Sequence, residues 1–256
     1  MKISQIIFSP TGGTQRVVDS LISEWNYDVT DKIDLSDPKT DFRVFNLQEY
    51  DIAVIAVPSF AGRVPSVAAE RLAKLRGSQI PCVLVCVYGN RAYEDTLIEL
   101  NDLAEQSDFK VIAAISAVAE HSIMHQYAAG RPDKQDKAQL KDFAEKIYQK
   151  MTDTAACDTT LKIPGNRPYK KAGGSTLIPK ADAKCTGCGL CSNRCPAGAI
   201  DTENLKISDS KKCISCMRCV AECPQSARKV SSTMVSVAAL AMKKVCSVRK
   251  ENELYI

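Results

Sequence analysis

No stretch of this chain approaches the roughly 20 consecutive apolar residues that a bilayer-spanning helix requires. The opening "MKISQIIFSP" has too short an apolar part, and no small-residue cleavage site, to act as an export signal. A cytoplasmic setting is therefore the expectation. Tryptophan is nearly absent, with one in 256 residues. No Gly-Lys-Ser/Thr marks a Walker loop, and no Gly-x-Gly-x-x-Gly marks a dinucleotide fingerprint, so direct use of a nicotinamide has no motif behind it. Acidic residues run short in the C-terminal part. Residues 156–256 carry 17 Lys/Arg against 8 Asp/Glu, or +9, which leaves 17 against 22, or −5, for residues 1–155. A basic half can mean nucleic acid. Here the surplus reads better as counter-charge to cysteine thiolates, and no nucleic-acid partner is expected.

Cysteine, by contrast, is abundant. There are twelve, and eight fall within the 39 residues 185–223. A chain with 45% hydrophobic residues can bury a core without disulfide staples, so the cluster points to metal. It is written twice, as "CTGCGLCSNRCP" (185–196) and "CISCMRCVAECP" (213–224). Each copy is C-x2-C-x2-C-x3-C-P, and the first cysteines stand 28 positions apart. Three cysteines on one tight loop reach three corners of an Fe4S4 cube, and the fourth serves the cube of the other copy. The expected ligand sets are Cys185, Cys188, Cys191 and Cys223 for one cluster, and Cys213, Cys216, Cys219 and Cys195 for the other. Gly187, Gly189 and Ser215 keep the loops small enough for backbone N–H groups to reach the sulfurs. Zinc, the rival metal, favours two separated C-x2-C knuckles. Of the other cysteines, Cys82 and Cys86 share one face of a strand and read as core, Cys157 lies in a connector, and Cys246 sits on a late helix.

The first 150 residues alternate strand and helix patterns. "KISQIIFS", "YDVTDKIDL", "DIAVIAVP", "IPCVLVCVY" and "KVIAAISAVA" read as strands. Between them lie amphipathic segments, including one with Val17, Val18, Leu21, Ile22 and Trp25 on a single face. Trp25 accordingly reads as core. The pattern predicts a doubly wound parallel sheet, whose ligands bind in loops at the carboxyl ends of the strands. After the first strand comes "SPTGGT", where Ser9, Thr11 and Thr14 offer hydroxyls and Gly12 and Gly13 let backbone approach an anion. After the third and fourth come "PSFAGRVP" and "YGNRAYED", suited to a flat ring on a phosphorylated tail. After the fifth comes "AEHSIM". Its His121 is the candidate catalytic group, a proton donor or ring contact, set against the plainer reading of a loop histidine with a structural bond.

"SPTGGT", "PSFAGRVP" and "YGNRAY" resemble the phosphate loop and two ring loops of flavodoxin-like domains, which bind FMN. The resemblance implies phosphate contacts from Ser9, Thr11, Gly12, Gly13 and Thr14. It implies ring contacts from Pro58, Ser59, Phe60, Ala61 and Gly62, and from Tyr88, Gly89, Asn90, Arg91 and Tyr93. The cysteine repeats resemble bacterial two-cluster ferredoxins. Together, with "PGNRPY" and "EHS", the chain resembles flavodoxin–ferredoxin fusions, found chiefly in anaerobes. The fold class this implies is α/β: a flavodoxin-like, doubly wound parallel five-stranded sheet, followed by a small α+β two-cluster ferredoxin-like domain. The expected division is a flavodoxin-like FMN-binding domain over 1–152, a connector over 153–177, a ferredoxin-like domain over 178–231 and a C-terminal helix over 232–256. That helix carries Met234, Val237, Ala241 and Val245 on the face expected to pack back on the body.

The cofactors implied are FMN and two [4Fe-4S] clusters, and the function implied is electron transfer between them. Two readings follow. An oxidoreductase would reduce a small organic substrate at the flavin. A carrier would dock redox proteins, of ferredoxin or reductase type, at both ends. No membrane partner is expected.

Overall fold

The computed structural model describes residues 1–152, 161–173 and 177–256. Cys157 and parts of the expected connector lie outside them. Six strands form one sheet: β1 (Lys2–Ile7), β2 (Val29–Asp34), β3 (Ile52–Pro58), β4 (Pro81–Tyr88), β5 (Lys110–Val118) and, last in the chain, β8 (Glu253–Tyr255). Their order is β2-β1-β3-β4-β5-β8. The first five pair in parallel, with Ile3 opposite Thr30 on one side and Ile52 on the other. Strand order reverses between β1 and β3, the switch point at which flavodoxin-like sheets open their ligand crevice.

The parity of β4 shows why these strands read as unbroken apolar runs. Val83, Val85 and Val87 face α1 (Gly13–Ile22) and α4 (Lys134–Thr152), whereas Cys82, Leu84 and Cys86 face α2 (Ser66–Leu72) and α3 (Thr96–Gln106). Both faces are covered, so neither set can be polar. Cys82 and Cys86 are fully buried, and burial pushes both thiols far up. They are core residues. Trp25 is core as well, 5% exposed, and its Nε1 donates to the carbonyl of Ala144 at 2.9 Å.

The sheet has one strand more than its sequence pattern predicts. β8 runs antiparallel to β5, pairing Ala114 with Tyr255 and Ser116 with Glu253. It follows α7 (Ser232–Cys246), and the helix differs from expectation too. Val235, Ala238, Ala239, Met242 and Cys246 meet Met124 and Tyr127 of the loop after β5. The predicted face is exposed, Val237 to 66% and Val245 to 50%. Small residues decide the outcome: Ala239 brings the helix close enough for the Tyr127 hydroxyl to donate to its carbonyl at 2.5 Å.

The cysteine-rich segment folds about itself with a 28-residue period. Between β6 (Lys180–Ala181) and β7 (Arg228–Lys229), which pair antiparallel, lie the matching turns α5 (Leu190–Asn193) and α6 (Arg218–Ala221). The backbone is left-handed at Gly187, Gly189 and Gly198, and again at Ser215, Met217 and Ser226. Each pair is 28 apart. The second copy thus holds three side-chain-bearing residues where the first has glycine, at a cost of about 1–2 kcal/mol each.

Candidate functional site

Two cavities lie in the cysteine-rich segment. One, of about 380 Å³ including open space at its mouth, is lined by Cys195, Cys213, Cys216 and Cys219. The other, of about 340 Å³, is lined by Cys185, Cys188, Cys191 and Cys223. The fourth cysteine of each copy therefore stands at the cavity of the other copy. Among the described residues no three His, Cys, Asp or Glu side chains converge closely enough for a single ion. Four soft sulfurs around a roomy cavity suit a polynuclear iron–sulfur group rather than one tetrahedral zinc.

The sulfur environments fit such a group. Ala199 donates its N–H to Cys195 Sγ and Ala227 donates to Cys223 Sγ, each at 3.3 Å. Burial would raise the Cys223 thiol, but N–H groups of Ala227, Gln225 and Arg228 outweigh it and hold it below the usual range. Cys216 and Cys219 are pushed up to about 12 by burial, so the protein alone does not ionise them. Iron would supply the missing positive charge. The Ser215 hydroxyl donates to Leu177 O at 2.8 Å.

The first cavity is pressed against the sheet domain. Ile214, between its ligands, packs on the core layer that contains Phe8 and Phe60. Arg218, 5% exposed, donates to Ser36 O at 2.8 Å and to Ser36 Oγ at 2.7 Å, just past β2. Arg71 of α2 donates to Pro196 O at 2.7 Å and to Leu35 O at 2.6 Å. The second cavity lies farther out, and Cys188 at its rim is exposed.

At the sheet's carboxyl edge, the loop after β1 forms the expected cradle. Gly12 is left-handed at φ 82° and is the residue just before α1. Ser9 Oγ accepts the N–H of Gln15 at 3.0 Å, so this hydroxyl caps the helix. Among the described residues the N–H groups of Thr11, Gly13 and Thr14 have no partner. Gly13 lies near Ala119, since a Cβ there would stand 3.8 Å from the Ala119 Cβ. The loops after β1 and β5 thus meet.

The loop after β3 is a two-residue hairpin. Phe60 and Arg63 exchange backbone bonds at 3.0 and 3.1 Å around Ala61 and Gly62, both left-handed. Pro58 and Phe60 are half-buried, and Phe60 meets Phe8 edge-on at 6.4 Å. Ser59 Oγ bonds Thr96 Oγ1 at 2.7 Å. Gly62 is tight, because a Cβ would fall 1.8 Å from Glu94 Oε2. Arg63 is anchored bidentately to Glu99, both bonds at 2.7 Å.

The loop after β4 is where expectation and structure part. Asn90 is 3% exposed, and its Nδ2 donates to Cys246 O at 2.7 Å and to Val248 O at 2.8 Å. Its side chain ends α7 and is committed to the C-terminal strap. Tyr88, 6% exposed, meets Tyr93 at 5.2 Å, and the Tyr93 hydroxyl bonds Glu253 and Tyr255. Tyr88 is buried, whereas Tyr93 is half-buried with its hydroxyl tied to the C-terminal strand. Gly89 and Arg91 are half-buried, and the Arg91 carbonyl accepts from Lys250 Nζ.

His121 covers Gly89, where a Cβ would come within 2.7 Å of the imidazole. Its Nδ1 accepts the N–H groups of Ile123 and Met124, each at 3.2 Å. That fixes the neutral tautomer with hydrogen on Nε2. Burial, with the nearby His125 and Arg91, holds its pKa below the usual value.

Sequence reasoning missed two latches. Asp95 accepts the N–H groups of Asn166 and Lys170, at 2.9 and 2.7 Å, and Asp102 accepts from Arg167 Nε at 2.8 Å. These seat "PGNRPY" against the start of α3. On the far side, buried Arg131 pairs with Asp136 and donates to Lys250 O, while Asn252 accepts the N–H of Val118 at 2.9 Å. Single polar residues in loops carry no periodic signal.

Residues 184–228 match the family model of the 4Fe-4S dicluster domain. No curated protein matches the chain. Among solved structures, a flavodoxin of Streptococcus pneumoniae TIGR4 is 18% identical with a TM-score of 0.42, over 59% of this chain and 99% of that one. A flavodoxin from the domain Archaea is 13% identical at 0.44, over 60% and 100%. Rubredoxin oxygen:oxidoreductase of Desulfovibrio gigas is 12% identical at 0.42, over 59% and 36%. Independently of these likenesses, the β2-β1-β3-β4-β5 order identifies the N-terminal sheet as flavodoxin-like. Among the described residues no helix is long and apolar enough to cross a membrane.

Proposed function

We propose that this chain, which joins a flavodoxin-like sheet to a 4Fe–4S dicluster module, transfers electrons between two Fe4S4 clusters and FMN, and so reduces a small organic substrate. The observation that carries the proposal is the seating of one cysteine cavity against α2 and the residues just past β2, at the sheet edge where the ligand crevice opens. FMN exchanges one or two electrons and a cluster one, so the set converts single electrons into pairs.

The chain's own residues would act as follows. Unpartnered N–H groups of Thr11, Gly13 and Thr14, with the Thr11 and Thr14 hydroxyls, would hold the phosphate at the N-terminus of α1. The hairpin of Ser59, Phe60, Ala61 and Gly62 would flank the ring on one side, and the Gly89 and Asn90 backbone the other. His121 would present Nε2–H as hydrogen-bond donor to ring or substrate. The inner ligands Cys195, Cys213, Cys216 and Cys219 would hold the cluster nearer the flavin. The outer ligands Cys185, Cys188, Cys191 and Cys223 would hold the one a redox protein meets, since Cys188 is exposed.

The test is oxygen-free purification with iron, sulfide and flavin analysis, followed by reduction in the presence of candidate acceptors. Eight irons and one FMN per chain, with acceptor-dependent reoxidation, support the proposal. A preparation with zinc, or with iron but no flavin, defeats it. Full cofactor content with no small-molecule acceptor would leave the carrier function in place of the enzyme.

A further inference from the structure

Arg228 is among the largest fully buried side chains of the protein, at 2% exposed. It begins β7, directly after the second copy of the cysteine motif. Its Nη1 donates to Pro179 O at 3.2 Å and to Ser208 Oγ at 3.1 Å, and its Nη2 donates to Leu205 O at 2.8 Å. All three are neutral acceptors. Among the described residues no carboxylate pairs with it, and its Nε–H is a buried donor without a partner.

A buried guanidinium with no anion is costly, because the unpaired charge has lost its hydration. Folded chains keep such a group only where something supplies the opposite charge. Arg228 lines the cavity of Cys185, Cys188, Cys191 and Cys223. An Fe4S4 cube with four thiolates carries about −2, and about −3 after gaining one electron. The orphan cation and the anion-forming cavity are therefore complementary.

The other cavity differs. The position 28 residues earlier is Ile200, which lines the cavity of Cys195, Cys213, Cys216 and Cys219 and is apolar. That cavity has its own buried cation, Arg218. It is already paired with Glu222 at 3.0 Å and lies 3.7 Å from Asp34. Its charge is largely cancelled by protein, whereas that of Arg228 is not. Each cavity is thus lined by one arginine, and the two differ in that Arg218 is paired with carboxylates whereas Arg228 is not.

We infer that Arg228 is the residue that sets the two clusters apart in potential: as uncompensated counter-charge to the outer cluster, it stabilises that cluster's reduced form and makes it the easier of the two to reduce. The electron involved enters from an external reductant as one negative charge on the cluster, with no bond made or broken by Arg228. The inference rests on the cluster reading above. It goes beyond that reading by assigning an order, with an electron shared between the clusters residing on the outer, exposed one.

The test compares wild type, Arg228→Gln and Arg228→Lys, all purified without oxygen. Iron and sulfide are assayed first, then each cluster is titrated with dithionite and followed by electron paramagnetic resonance. In R228Q the cluster that is reduced first in wild type should become at least tenfold harder to reduce at fixed ambient potential, a shift of about 59 mV for one electron. The other cluster, whose cavity is lined by two of the Arg228 acceptors, Pro179 and Ser208, should move in the same direction but less. R228K, which keeps the charge, should remain close to wild type. An R228Q protein that loses one cluster outright, while R228K keeps both, also supports the counter-charge. Unmoved potentials in R228Q with full iron overturn the inference and leave the cluster reading intact. Equal shifts or equal losses in R228Q and R228K overturn it as well, since packing rather than charge would then be responsible. Wild type without iron would instead sink the cluster reading itself.

Discussion

Arg71 donates from Nη2 to the carbonyl of Pro196 across 2.7 Å, and from Nη1 to Leu35 O at 2.6 Å. One side chain of the sheet domain thus holds the residue that follows Cys195, a proposed ligand of the inner cluster. Its guanidinium also lies 5.6 Å over the ring of Phe42, which fixes its direction. Replacing Arg71 by methionine removes two charge-assisted bonds while keeping the apolar stem. The expected cost is about 1.5–3 kcal/mol in the unfolding free energy of the loaded protein, with slower electron exchange between cluster and flavin at full cofactor content. Unchanged exchange in R71M would detach this junction from the electron path.

Crossed ligation predicts non-additivity. C195A should lose the inner cluster, about four of eight irons. C216A should lose the same four, and C195A/C216A no more than either alone. C195A/C188A should lose nearly all iron. If C195A/C216A instead empties both sites, each copy binds its own cluster and the assignment is wrong.

The phosphate cradle is tested separately from the metal. Thr11→Val and Thr14→Val each remove a hydroxyl from the anion's surroundings, and a hydrogen bond to a charged group contributes about 1.5–3 kcal/mol. FMN affinity should fall about 10- to 100-fold, with iron content unchanged. Wild-type affinity in both variants would place the phosphate elsewhere.

His121 gives a pH prediction. Burial holds its folded pKa below the 6.5 of an unhindered histidine. Above pH 6.5 it is neutral in both folded and unfolded chains and stability is flat. As pH falls through 6.5 the unfolded chain takes up a proton that the folded one refuses, so the unfolded state gains and stability declines until the folded pKa is reached. His121→Asn offers an oxygen where Nδ1 accepts the N–H groups of Ile123 and Met124, and should remove this component of the acid slope. Histidine titration by nuclear magnetic resonance should place His121 below 6.5. A higher value would assign it an imidazolium role instead.

Much of this was legible in the sequence because it is periodic or repeated. Alternating Val83, Val85 and Val87 against Cys82, Leu84 and Cys86 makes β4 a run covered on both faces, and such runs predict a parallel sheet. The 28-residue repeat carries the proposed ligand sets. What stayed hidden depends on single contacts between distant segments. β8 has three residues, too few for any period. The buried face of α7 was chosen by Ala239 and Tyr127 rather than by its largest side chains. Asn90, placed among ring contacts by resemblance, has its amide committed to Cys246 and Val248. Arg228 looks like any surface cation until its burial and its unpartnered Nε are seen.

Both clusters and FMN are expected to exchange electrons within one chain. Oxidised, fully loaded protein mixed without oxygen with less than one equivalent of dithionite should show flavin and cluster absorbances relaxing together after the mixing phase. The relaxation rate should not change when protein concentration is raised tenfold. A rate that rises in proportion to concentration would contradict it, because electrons would then be passing between molecules rather than along the path from the outer cavity to the sheet.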